Sequence, residues 1–232
     1  MTRKIVIADI HGCIDTLESL LDKIKLSQLD ELFFLGDYID KGWNSKGVID
    51  KISSLKKSGY SIVTLLGNHE KILIEQYEES VKINLRGVGD SRLLNSFGIS
   101  NLKDIPEEYI NWCRDLPFYH IVENYILVHA GLNFNYLDPL KDEKDIIWIR
   151  NWYSQINKDW LGNRIIIHGH TPQTKMETTG QFRNRNKNKV LNLDCGAFLT
   201  RYKNKGLGYL CAFDLTNDKL YFQENIDKNN IY

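Results

Sequence analysis

One arrangement constrains this chain more than any other. Through about its first seventy residues, short β-branched or aromatic runs each end in a polar cluster holding Asp or Asn beside Gly, and each cluster opens a helix-like stretch. Ile5-Val6-Ile7-Ala8 leads into Asp9-Ile10-His11-Gly12, after which Leu17, Leu20, Leu21 and Ile24 recur at helical spacing. Leu32-Phe33-Phe34-Leu35 leads into Gly36 to Gly42, followed by Val48, Ile49, Ile52 and Leu55 at the same period. Ile62-Val63-Thr64-Leu65-Leu66 leads into Gly67-Asn68-His69-Glu70 and a third helical stretch to about Lys82. Strands alternating with helices imply a largely parallel sheet with helices on its faces. In such sheets the loops after the carboxyl ends of the strands gather along one edge, where ligands bind. The pattern therefore delivers Asp9, Asp37 and Asn68, one strand–helix unit apart, to one rim.

The later chain is less regular. Residues from about 84 to 116, carrying Gly87, Gly89 and Gly98, read as a helical insertion that shapes or covers the site. Tyr119 to Val122 and Tyr125 to Val128 read as strands turning at Glu123-Asn124, the second ending at His129-Ala130-Gly131. Ile165-Ile166-Ile167 ends at His168-Gly169-His170-Thr171. Three late runs, Val190 to Leu193, Tyr209 to Phe213 and Leu220 to Phe222, predict a second, more antiparallel sheet packed on the first. The expectation is an α/β (α+β) sandwich of mixed sheets inside helices, formed by a single domain over residues 1–232 without repeats or low-complexity linkers.

Of the six histidines, all but His120 fall at the ends of apolar runs beside Gly, Asp or Asn. A lone histidine is most often a satisfied structural residue. Imidazoles at so many strand ends congregate for a metal or a catalytic task, because half-buried rings are awkward to satisfy otherwise. The available donors are carboxylates, imidazoles and one amide, with no cysteine at a ligand position. Such a set argues against structural zinc and favours manganese, iron or hydrolytic zinc. A carboxylate such as Asp37 can bridge two cations roughly 3.5 to 4 Å apart.

Composition narrows the partners. Lys and Arg total 30 against 30 Asp and Glu, so no global field draws the chain to nucleic acid or an anionic membrane. The basic run Phe182 to Lys189 is accordingly read as a solvated hairpin rather than a nucleic-acid grip. No apolar segment approaches the roughly 18 residues of a membrane span, and no secretory signal is expected ahead of Ile5. The four cysteines are scattered, and a cytoplasmic location is expected. Cys195 to Arg201 has the C-x5-R spacing of cysteine-dependent phosphatases, but Phe198 and Leu199 would crowd the backbone amides that must face an anion. Nothing in the sequence fixes an oligomeric state.

The motifs Asp9-Ile10-His11-Gly12, Gly36-Asp37-Tyr38-Ile39-Asp40-Lys41-Gly42, Gly67-Asn68-His69-Glu70, His129-Ala130-Gly131 and Gly169-His170-Thr171 resemble, in order and spacing, those of the calcineurin-like metallophosphoesterases. Leu193-Asp194-Cys195-Gly196-Ala197 is similar to that family's closing Asp-Thr-Gly-Ala, so the resemblance runs through nearly the whole chain. It implies a four-layer αββα sandwich and two divalent ions, most readily Mn2+ with Fe or Zn as alternatives. By the same resemblance Asp9 and His11 hold the first ion, Asp37 bridges, and Asn68, His129 and His170 hold the second. His168 falls outside this set and reads as a packing residue. His69 is implied as the general acid, with Asp40 orienting it. Lys41, standing where the family usually has Arg, is implied together with Arg150 and Asn68 in phosphate binding; lysine keeps the charge and loses the two-pronged hydrogen bond.

Pro172, where nuclease and diesterase branches carry another histidine, makes the chain look most like bacterial and bacteriophage serine/threonine phosphatases. The expected activity is hydrolysis of phosphomonoesters, on phosphoserine or phosphothreonine in a phosphorylated protein or on a small phosphoester, by direct attack of a metal-bridging hydroxide. The alternative is a symmetric dinucleoside tetraphosphate hydrolase, which needs the same metals and proton donor. Intact ligand positions argue against an inactive scaffold.

Overall fold

The first strand forms because Ile5, Val6 and Ile7 are β-branched and suit a pleated, buried surface. The structure is a computed structural model and describes residues 2–83 and 91–227. Strands β1 (Lys4–Ile7), β2 (Glu31–Phe34) and β3 (Ser61–Thr64) are parallel neighbours, linked by helices α1 (Ile14–Lys23) and α2 (Ser45–Lys57); α3 (Asn68–Ile83) follows β3. Helix α1 buries Leu17, Leu20 and Leu21, and α2 buries Val48, Ile49 and Ile52, as their spacing requires. The start of α2 is fixed by Asn44, whose side chain accepts the Gly47 amide at 2.8 Å.

Beyond α3, helices α4 (Ser91–Phe97) and α5 (Glu107–Arg114) occupy the described part of the expected insertion; its residues 84–90, with Gly87 and Gly89, lie outside the described residues. Strands β4 (Tyr119–Val122) and β5 (Tyr125–Val128) form the expected hairpin. Two short helices, α6 (Glu143–Trp148) and α7 (Lys158–Leu161), precede β6 (Ile165–His168). Helix α8 (Lys175–Asn188), β7 (Val190–Asn192), β8 (Tyr209–Asp214) and β9 (Lys219–Glu224) complete the fold.

The sheets are ordered β3-β2-β1-β8-β9 and β4-β5-β6-β7. One hydrophobic cluster joins Val6, Ala8, Phe33, Leu35 and Phe213 of the first sheet to Leu127, Ile165, Ile167 and Leu191 of the second, so the inner faces pack on each other. The alternate residues Ile5, Ile7, Phe34, Ile126, Val128 and Ile166 belong to the other cluster, with Leu17, Val48, Ile52 and Ile146 of the helices. Burying each of these side chains stabilises the fold by roughly 1.5–3 kcal/mol. The period-two alternation of the strands thereby produces the expected four layers, helix, sheet, sheet, helix.

Two expectations fail here. The late strands do not build one antiparallel sheet: β7 lies parallel to β6, while β8 pairs antiparallel with β1 and extends the first sheet with β9. The run 182–189 is the last part of α8 rather than a hairpin. The two errors share a cause. Helix α8 lacks an apolar stripe, yet it is nucleated by a capping box in which Thr174 and Glu177 satisfy each other's backbone amides at 3.2 and 2.7 Å. A helix between β6 and β7 is the crossover that a parallel pair needs.

Arg3 and Asp30 tie the starts of β1 and β2 together through two bonds, Nε to Oδ1 at 2.9 Å and Nη2 to Oδ2 at 2.5 Å; the Ser27 amide adds a third at 2.8 Å. Burial works to raise the Asp30 pKa, but the hydrogen bond and charge of Arg3 outweigh it and hold the carboxyl below its usual value. A depressed folded pKa contributes stability above the unfolded value and loses it as pH falls through the folded one. Asp30→Asn is expected to lower unfolding free energy at pH 7 by about 1–2 kcal/mol. Urea unfolding at pH 7 and at the lowest pH the fold withstands checks this, because the gap between wild type and variant must narrow in acid.

Candidate active site

In-register pairing sets the site. Lys4 lies opposite Glu31 and Glu31 opposite Ser61, so β1, β2 and β3 end level and Asp9, Asp37 and Asn68 emerge side by side. In the second sheet His168 lies opposite Asn192, which brings the loops holding His129, His170 and Asp194 to the same edge. The loops are then stitched together: the amides of Ile10 and His11 both donate to the Asp37 carbonyl, at 3.0 and 2.9 Å, and Gly169 donates to the His129 carbonyl at 2.8 Å. His11, Asp37, Asp40, Lys41 and His170 all have positive φ, between 49° and 70°. A side chain held there costs of order 1–3 kcal/mol, and such strain concentrates where function fixes the backbone.

Two groups of side chains converge. His11, Asp37 and His69 place ligand atoms within 4.8 Å of one another, as do Asp37, His129 and His170, so Asp37 belongs to both. Its Oδ2 is 3.5 Å from His11 Nε2 and its Oδ1 is 3.4 Å from His129 Nε2. Asn68 Oδ1 lies 2.9 Å from both His129 Nε2 and His170 Nδ1. The carbonyls of Ile39 and Leu35 sit 2.9 and 3.0 Å from the Nδ1 atoms of His11 and His129. A carbonyl only accepts, so each Nδ1 carries the proton and each Nε2 is turned inward, the arrangement that orients metal-ligating imidazoles.

Asp9 stands outside both groups. Its Oδ2 accepts the His170 amide at 2.8 Å, and its Oδ1 and His170 Nε2 are buried with no hydrogen-bond partner among the described residues. Burial, then the Asp194 charge, pushes Asp9 well above the usual carboxylate range; the same burial pushes Asp194 up to about 7. Burial lowers His11 to about 4 and His170 to about 3, leaving both neutral, the form that ligates. Partnerless buried donors, neutral imidazoles and crowded carboxylates are what divalent cations relieve, so these residues fit a metal pair. Gly169 lacks a side chain for a steric reason, since a Cβ there would meet Asp9 Oδ1 at 1.8 Å. Gly169→Ala is expected to displace Asp9 or His170 and weaken metal affinity by about 10–100-fold, read by metal titration calorimetry.

The proposed proton donor is well held. His69 Nδ1 lies 2.6 Å from Asp40 Oδ2, and its backbone amide donates to Asp37 Oδ1 at 3.1 Å. Burial works against its charge, but the Asp40 bond and the charges of Asp37 and Asp40 outweigh it and raise the His69 pKa above its ordinary value. The His69 and His11 rings meet edge to face at 4.9 Å. Arg150 is exposed near the opposite end, bonded to Thr171 Oγ1 at 3.0 Å. Lys41 borders a cavity beside His11. His168 is outside both groups: its Nδ1 donates to the Gly169 carbonyl, so its Nε2 accepts from the Tyr153 hydroxyl at 2.7 Å.

Glu70 received no role from the sequence, yet it is fully buried and accepts amides from Asp37, Tyr38, Ile39 and Gly67 at 2.8–3.3 Å. It clamps the β2 loop to the start of α3. Its position in the first turn of a helix, reaching back to Gly67, was the available signal. Cys195, by contrast, is sealed in the inter-sheet core beside Thr178, which removes it as an exposed nucleophile.

Symmetrical bis(5'-nucleosyl)-tetraphosphatases from Dechloromonas aromatica and Serratia proteamaculans are each 34% identical to this chain, over 129 and 132 residues, which is 54% and 55% of this chain. The match covers 42% of the length of either relative. A protein serine/threonine phosphatase from Saccharomyces cerevisiae superimposes over 99% of this chain and 82% of its own with a TM-score of 0.64. A metallophosphoesterase from Sphaerobacter thermophilus does so over 98% and 89%, with a TM-score of 0.57. At 17% and 15% identity these two establish the fold alone. The relatives overturn the expectation of a serine/threonine phosphatase acting on phosphoproteins. The motifs that suggested it are those of the family as a whole and carry no information on the leaving group. The calcineurin-like phosphoesterase model matches residues 2–207, and with the two sheets delivering their loops to one shared cluster of metal-capable side chains, the chain belongs to that family.

Proposed function

We propose that this chain hydrolyses dinucleoside tetraphosphates symmetrically, releasing two nucleoside diphosphates. The observation that carries the substrate class is the similarity to symmetrical bis(5'-nucleosyl)-tetraphosphatases over half the chain. The chemistry rests on the family's two-metal dependence and on the cluster around Asp37. Asp9, His11 and Asp37 would hold one ion and Asp37, Asn68, His129 and His170 the other, manganese suiting this thiolate-free donor set. Bound there, the ions would supply Lewis acidity to the phosphoryl oxygens and to a water nucleophile. Lys41, Arg150 and Asn68 orient the phosphate chain, Lys41 as a point charge. His69, held through Nδ1 by Asp40, presents Nε2 to the departing oxygen and donates its proton. Residues 1–232 act as one domain, and the insertion at about 84–116 contributes Arg92 to the Lys41 cavity.

The test is chromatography of products from diadenosine tetraphosphate with added manganese. Adenosine diphosphate as the sole nucleotide product is expected. Release of the triphosphate with the monophosphate, or no turnover in enzyme that cleaves p-nitrophenyl phosphate, would sink the proposal.

A further inference from the structure

Two cavities adjoin the cluster at its two ends. One, of about 260 Å³, is lined by Arg150, Tyr153, His168, Thr171 and Gln173, beside His170. The other, of about 190 Å³, is bounded by Lys41, Arg92, Phe198, Leu199 and Arg201. It adjoins His11, because the Phe198 ring meets that imidazole edge to face at 4.9 Å. His11 faces Asp37 Oδ2, whereas His129 faces Oδ1 and its ring lies 5.0 Å from that of His170, whose neighbour Thr171 lines the first cavity; the cavities therefore lie toward different ends of the shared carboxylate.

The cavities are not equivalent. His69 packs on the same His11 ring, and its partner Asp40 immediately precedes Lys41. A general acid must reach the oxygen that leaves, so the bond breaks toward the Lys41 side. That side carries three cations over an apolar floor. Arg92 donates to the Lys41 carbonyl, with its guanidinium 5.5 Å over the Trp43 ring, which fixes the loop bearing Lys41. Arg201 is exposed, its guanidinium 4.8 Å over the Tyr202 ring. An uncharged alcohol leaving group has no use for this charge, whereas a diphosphate does.

We propose that the cavity bounded by Lys41, Arg92, Phe198, Leu199 and Arg201 receives the phosphates of the departing nucleoside diphosphate, the cations meeting them while the nucleoside extends outward past Phe198 and Leu199. This rests on the dinucleoside tetraphosphate reading. Water oxygen bonds to the attacked phosphorus and the bridging P–O bond breaks. Its electron pair stays on the departing diphosphate, which takes the His69 proton, and water's proton passes to solvent.

The experiment compares wild type, Arg201→Ala and Arg201→Lys in two assays: kcat/KM for diadenosine tetraphosphate against p-nitrophenyl phosphate, and inhibition of the aryl phosphate reaction by adenosine diphosphate. For Arg201→Ala, the loss on the tetraphosphate is expected to exceed that on the aryl phosphate by about tenfold or more. The inhibition constant for the diphosphate rises to match, and Arg201→Lys recovers part of both. Equal losses on the two substrates, or inhibition indifferent to Arg201, overturn the proposal. If wild type spares the tetraphosphate while the diphosphate still inhibits and Arg201→Ala relieves it, the cavity assignment stands and the substrate reading falls.

Discussion

Asp37→Asn is expected to lower kcat/KM by at least about 10³-fold while leaving the fold intact. Asp37 is the one carboxylate that belongs to both groups of metal-capable side chains, with an oxygen facing His11 and the other facing His129. Burial opposes its ionisation, yet the charge and hydrogen bond of His129 hold it well below the usual carboxylate range, so it is an anion at every working pH. Asparagine has the same shape but no charge, and one of its ends donates where a cation must be received. The imidazole of His129, raised to about 9 because Asp37 outweighs the burial that lowers it, loses its counter-charge. The variant should therefore bind fewer than two metal ions per chain, measured by elemental analysis after gel filtration, with circular dichroism unchanged. Near-full turnover in a variant carrying both ions would defeat the bridging role.

His69→Asn is expected to reduce kcat by about 10²–10⁴-fold on substrates with poor leaving groups. The loss should shrink as the leaving group becomes more acidic, because an oxygen that departs readily needs no proton. Proton donation requires the charged ring, and the Asp40 bond raises the pKa at which that charge is lost. Activity of the wild type accordingly falls as pH rises through this elevated value, and the falling limb is absent in His69→Asn. A falling limb that persists unchanged in the variant would assign the proton to another group. Asp40→Asn keeps the imidazole and removes the anion, so the limb is expected to move to lower pH.

These expectations draw on residues of two kinds. Those named from sequence, such as Asp37 and His129 in loops and His69 in the first turn of α3, have positions that follow from strand ends. A strand of β-branched residues followed by Gly and Asp announces both its own end and the edge on which the aspartate will stand. Glu70 and Asp194 were harder to read. A buried glutamate looks in sequence like any first-turn acidic residue until the amides of Asp37, Tyr38 and Ile39 fold back onto it. Asp9 was named by its motif, but only the fold shows its Oδ2 on the His170 amide and its buried Oδ1 left without a hydrogen-bond partner among the described residues. The basic stretch after Phe182 escaped recognition because a helix carried by its cap leaves no periodic trace.

Sequence alone determined the local pattern: which runs of the first seventy residues are strands and which strand ends carry side chains of metal-binding type. All of these depend on residue type and near neighbours. The tertiary structure alone decided which sheet took β7, β8 and β9, and how Lys41, Arg92, Phe198 and Arg201 come to line one cavity. Strand pairing and cavity walls are set by contacts between residues far apart along the chain. The loss of chain entropy on bringing them together is recovered only when the whole core closes.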